Sequence, residues 1–102
     1  MAPEIEKHRQ ELGELCKLHQ VESCYIFGSG TRNDFDKFSD IDLLVRFSDS
    51  IDLLDYADNY FDLSDKLGVL LNRKVDLVSE KSLRNPVLIK EINKQKIPLY
   101  ES

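Results

Sequence analysis

The sequence predicts an α+β protein, with a single small mixed β-sheet of three to four strands packed with helices, built by one domain over residues 1–102. Three observations carry this. Short apolar runs rich in Ile, Val, Phe and Tyr (SCYIFGS, DIDLLVRF, RKVDLVSE) are bounded by polar turns, as strands are. Longer segments between and around them repeat apolar residues at three- and four-residue intervals, as amphipathic helices do. A chain of 102 residues, 41% hydrophobic and 32% charged, has material for one modest core and little more.

Taken in order, Ile5, Leu12, Leu15, Cys16 and His19 recur at helical spacing among charges, which predicts a first helix from about Glu4 to Gln20 despite Gly13. His8 and His19 complete no nucleophile or zinc pattern and are expected as polar residues at the helix border. The next run sets Cys24 and Ile26 on one face and Tyr25 and Phe27 on the other, so a central strand covered on both sides is expected, stopping at Gly28. In DIDLLVRF, Ile41, Leu43, Val45 and Phe47 share one face, while Asp40, Asp42, Leu44 and Arg46 share the other. That is a second strand with one acidic end.

A helix over about 51–71 follows, with Leu53, Ala57, Tyr60, Ser64, Leu67 and Leu71 as its inner stripe, Asp49 or Ser50 as N-cap and Asn72 as a left-handed stop. Tyr56, Phe61 and Leu63 beside that stripe are either a contact surface or the flank of a wide buried face. RKVDLVSE predicts a third strand, with Val75 and Leu77 facing one way and Asp76 and Val78 the other. Asn85-Pro86 opens a last helix to about Gln95, and KIPLYE supplies a short edge strand.

Composition also excludes. No apolar run approaches the roughly 20 residues of a membrane helix, and MAPEIEKHRQELGEL is too charged for a signal peptide, so a cytoplasmic location is expected. Cys16 and Cys24 form no C-x-x-C pair and read as small buried apolar residues. A net charge of −5 argues against gripping a long nucleic acid by its phosphates. Lys90, Lys94 and Lys96 read as a solvated helix face.

The chemistry lies in the aspartates. Side chains two apart on a strand leave one face with their α-carbons about 6.6 Å apart, so Asp40 and Asp42 can converge above the sheet. Two such charges about 6 Å apart repel by about 3 kcal/mol at an effective dielectric of 20. Asp76 interrupts the apolar VDLV run in the same way and is the candidate third carboxylate. Water at an exposed rim would screen such a cluster; a hard divalent cation is the other remedy, since Mg²⁺ takes carboxylates together with waters and substrate phosphates. A calcium loop starting at Asp34 fails, because Phe38, Ser39 and Val45 stand at its fifth, sixth and twelfth positions. Gly28-Ser29 at a strand end would let a phosphate approach the backbone.

Gly28-Ser29, ten residues, then Asp40-Ile41-Asp42 resembles the G-S-x10-D-x-D signature of the DNA polymerase beta-like nucleotidyltransferases. With Ser39 ahead of DIDLLV, the chain resembles, over nearly its whole length, a minimal nucleotidyltransferase antitoxin of the kind paired with HEPN toxins. The resemblance implies that Asp40 and Asp42 bind two Mg²⁺ ions, that Asp76 is a third metal ligand and helps activate the acceptor hydroxyl, and that Gly28, Ser29 and Arg32 contact the triphosphate of ATP. Gly30, Thr31 and Asn33 depart from the G-S-R-A-R-G form of many relatives, although Asn33 can adopt the left-handed conformation of the glycine it replaces.

The activity so implied is transfer of AMP from ATP to a hydroxyl, a tyrosine on a HEPN RNase toxin, with pyrophosphate leaving. Two alternatives stand beside it: an antitoxin that neutralises by binding alone, and a small-molecule nucleotidyltransferase with a separate substrate-binding subunit.

Overall fold

The computed structural model describes residues 3–28 and 40–101. Along them run α1 (Pro3–Lys7), α2 (Arg9–Leu18), β1 (Val21–Phe27), β2 (Ile41–Phe47), α3 (Leu53–Leu71), β3 (Val75–Ser79), a 3₁₀ turn (Glu80–Ser82), α4 (Pro86–Gln95) and β4 (Ile97–Glu101). The sheet order is β3-β2-β1-β4. β1 pairs antiparallel with β2 and β4, whereas β2 and β3, connected through α3, run parallel. The result is the expected α+β architecture with a mixed sheet, and KIPLYE supplies the edge strand β4.

The core lies on one face of the sheet. Cys24, Ile26, Ile41, Leu43, Val45, Phe47 and Leu77 pack there against Ile5, Leu12 and Cys16 from the N-terminal helices and Leu63, Leu67 and Leu71 from α3. Burial of this kind contributes roughly 1.5–3 kcal/mol for each large aliphatic side chain. On the opposite face, among the described residues only Leu44 and Ile92 are buried, and Tyr25 and Phe27 stay half-buried. Among the described residues, the expectation that β1 is covered on both sides therefore holds for one face alone, because there the other face is covered by the short helix α4.

Several local expectations need correction. The first helix is two, divided at His8, whose Nδ1 sits 2.8 Å from Glu11 Oε2. His19 is no border residue: it is buried, with Nδ1 2.7 Å from the Leu15 carbonyl oxygen and Nε2 2.6 Å from Asp62 Oδ2. Lys66 Nζ approaches the same Asp62 oxygen at 2.9 Å, and these two partners, His19 first, hold the Asp62 carboxyl below its ordinary range. Together with the Asn59 amide, which donates to the His19 carbonyl at 2.6 Å, they tie the end of α2 to α3.

α3 starts at Leu53, later than expected. Its N-cap is Asp52, whose carboxylate accepts from the Leu54 N–H at 3.0 Å, while Asp49 pairs instead with Lys81. Leu53, expected on the inner stripe, is 86% exposed, and Leu63 is fully buried in its place. Asn72 does close the helix in the left-handed conformation, at φ 53°. Asn85 caps α4 as expected, accepting from the Val87 and Leu88 N–H groups. Among the described residues no helix is long and apolar enough to cross a membrane.

Candidate active site

The parallel register of β2 with β3 sets Asp42 directly beside Asp76. Paired residues of neighbouring strands stand about 4.8 Å apart and project from the same face, so the two carboxylates share the face opposite the core. On the other side of Asp42, the antiparallel register with β1 places Phe27, followed by Gly28. Gly28 has φ 72°, and a Cβ built on it would stand 2.6 Å from Asp42 Oδ2. The carboxylate thus rests against a backbone position where only glycine leaves room.

Asp40 lies just ahead of β2 and is half-buried, with its Oδ2 3.9 Å from Lys74 Nζ. The strands are clipped together here, since the Ile41 N–H donates to the Lys74 carbonyl at 3.0 Å. Burial, then the charge of Asp76, then that of Asp40 raise the Asp42 carboxyl above its ordinary range. Two like charges therefore act on Asp42, as the sequence pattern suggested, and the strand register is the cause.

Among the described residues, no three His, Cys, Asp or Glu side chains are gathered closely enough to hold a metal ion between them. The donor set is instead two adjacent carboxylates with a third held toward a lysine. It fits a cation such as Mg²⁺, which takes one or two carboxylates and completes its shell with waters and phosphates. Ser29 and Arg32 lie outside the described residues.

Asp42 and Asp76 open into a cavity of about 510 Å³ along the exposed edge of β3. Its walls include Tyr60 and Phe61 of α3 and Leu88 and Ile92 of α4. Tyr60 is fixed by its hydroxyl, which donates to the Leu77 carbonyl on β3. Burial first, then Tyr56, then Asp76 push the Tyr60 phenol above its ordinary range. Sequence reasoning did not find this cavity. Phe61, expected as a contact surface or a buried flank, is exposed, and with Leu88, which the sequence pattern did not single out, it lines this cavity.

Residues 10–102 match the family model described as Polymerase beta, Nucleotidyltransferase. The chain is 41% identical over 93 residues to MJ0128 of Methanocaldococcus jannaschii, named as a candidate protein adenylyltransferase, covering 91% of this chain and 88% of that protein. It is 32% identical over 80 residues to the protein adenylyltransferase MntA of Thermococcus cleftensis, covering 78% and 74%. Among solved structures, a crystal structure of a toxin-antitoxin with AMP-PNP superposes with a TM-score of 0.71 at 26% identity, over 92% of this chain and 73% of that one. A candidate minimal nucleotidyltransferase superposes with a TM-score of 0.70 at 34% identity, over 92% and 91%.

Proposed function

Because this chain belongs to the polymerase beta nucleotidyltransferase family, we propose that it is an antitoxin-type protein adenylyltransferase, which moves AMP from ATP to a tyrosine hydroxyl of a cognate HEPN RNase toxin. The observation that carries the reading is the pairing of Asp42 with Asp76 across β2 and β3, against the bare α-carbon of Gly28. Support for the nucleotide and the partner comes from the similar toxin-antitoxin solved with AMP-PNP and from the relatives named as protein adenylyltransferases.

In this reading the acceptor oxygen attacks the α-phosphorus in line, the bond from that phosphorus to the bridging oxygen breaks, and pyrophosphate leaves. Asp76, at the exposed edge of the pair, accepts the hydroxyl proton. Gly28, with Ser29 and Arg32 beyond it, contacts the triphosphate. Asp40, Asp42 and Asp76 are the residues that would hold two Mg²⁺ ions, which when bound supply positive charge for the attacking and leaving oxygens. The repulsion that raises the Asp42 carboxyl is what such charge would relieve.

The test is co-expression with the toxin partner, followed by purification and addition of ATP and Mg²⁺. Addition of AMP mass to the partner is expected, and Asp42→Asn should slow it on the order of 10²–10³-fold, as for loss of other preorganised charge-stabilising groups. A second reading, neutralisation by binding alone, has one observation in its favour, the approach of Asp40 to Lys74. It stands if no AMP is transferred and Asp42→Asn neutralises the toxin at full strength.

A further inference from the structure

Across the sheet, Gly28 at the end of β1, Asp42 on β2 and Asp76 on β3 stand in that order, and β3 is the outer strand. In-line transfer requires the leaving group and the attacking oxygen on opposite sides of the reacting phosphorus. If the pyrophosphate end lies toward Gly28, the attacking hydroxyl must arrive from beyond Asp76. The cavity between α3 and α4 opens on that side.

Its chemistry is that of a neutral ring. Among the described lining residues there is no Lys, Arg or His, and Asp42 and Asp76 are the only charged ones. Beyond the two carboxylates, the described lining offers a phosphate chain no basic side chain to pair with. The far wall is aromatic and aliphatic: Tyr60 and Phe61 meet edge to face with ring centroids 5.3 Å apart, and Leu83 and Leu88 complete it. Aromatic side chains favour such edge-to-face partners, and a phenol seated against them keeps its polar end toward the acids. Phe61 is 64% and Leu88 46% exposed, large apolar groups held at a cavity mouth with room for an occupant.

We propose that this cavity is the acceptor subsite, that it takes the phenol ring of a tyrosine in the substrate protein with its hydroxyl directed at Asp76, and that Phe61 and Leu88 select an aromatic acceptor over serine or threonine. This rests on the adenylyl-transfer reading above. Phe61 and Leu88 are specificity-determining contacts and take no part in the proton transfer. The rival occupant is the adenine ring of the nucleotide.

The experiment is an amide NMR titration of the whole chain, separately with N-acetyltyrosinamide, N-acetylserinamide and Mg²⁺ with AMP-PNP. N-Acetyltyrosinamide should shift amides at and around Phe61, Asp76 and Leu88, N-acetylserinamide should not, and AMP-PNP should act around Gly28 and Asp42. Phe61→Ala and Leu88→Ala, both at exposed positions, should weaken the tyrosinamide response about tenfold while leaving the AMP-PNP response unchanged. With the toxin partner as acceptor, the same variants should raise its KM and leave the KM for ATP unaltered. Displacement of N-acetyltyrosinamide by AMP-PNP, or the absence of any tyrosinamide response at Phe61 and Leu88, would overturn the assignment. If AMP-PNP binds nowhere while the tyrosinamide shifts persist, the nucleotidyl-transfer reading fails and the aromatic site survives it.

Discussion

Gly28 and Asp42 depend on each other. A methyl group at Gly28 would come within 2.6 Å of Asp42 Oδ2, and the φ of 72° is one that L side chains adopt at a cost of about 1–2 kcal/mol. Gly28→Ala should therefore lower the thermal midpoint by roughly 4–16 °C and displace the Asp42 carboxylate, so that AMP transfer falls even at temperatures where the variant stays folded; thermal melts and transfer rates measured side by side check this. Asp42 itself is a stability liability without a cation. Burial, then Asp76 and Asp40, raise its folded-state pKa above the ordinary 3.8, so the folded chain binds this proton more tightly than the unfolded one. The associated stability is present below pH 3.8 and is lost as the pH rises through the raised folded value. Asp42→Asn is accordingly expected to stabilise the metal-free chain at pH 7, with the gain shrinking to nothing toward low pH. Urea melts of both forms across pH 3–7 measure it.

At the level of elements, the boundary of α3 shows what a local pattern can decide. The stretch Ser48-Asp49-Ser50-Ile51-Asp52 offers four residues able to cap a helix, and one-dimensional spacing does not rank them. The fold does, since Asp49 is drawn to Lys81, 32 residues away in sequence, and Asp52 is left to accept from the Leu54 N–H. Asp52→Ala should cost about 1 kcal/mol, whereas Asp49→Ala should cost less, a difference readable in denaturant midpoints. His19 was opaque for the same reason, because Asp62, which faces it, lies 43 residues further along the chain. Asn72 and Asn85 were legible, because a left-handed stop and an Asn-Pro helix start are properties of adjacent residues. The acidic pair was legible in part: alternation puts Asp42 and Asp76 on the polar faces of their strands, but only the parallel register makes them neighbours.

For the molecule as a whole, the site follows from an imbalance in how the sheet is covered. Among the described residues, three helices close one face around a continuous apolar core, while α4 shields part of the other. On the half-covered face Phe27, Asp42 and Asp76 remain accessible, and at its β3 edge α3 and α4 flank the cavity lined by Phe61 and Leu88. Composition could not reveal that opening, since exposed apolar residues are common on any surface. The central claim, that Asp42 and Asp76 together hold a cation-bound nucleotide beside Gly28, has a direct test in Mn²⁺-induced broadening of amide resonances in the presence of AMP-PNP. Broadening should be strongest at Gly28, Asp42 and Asp76 and should disappear in Asp42→Asn; broadening centred elsewhere in the chain, or undiminished in that variant, would contradict it.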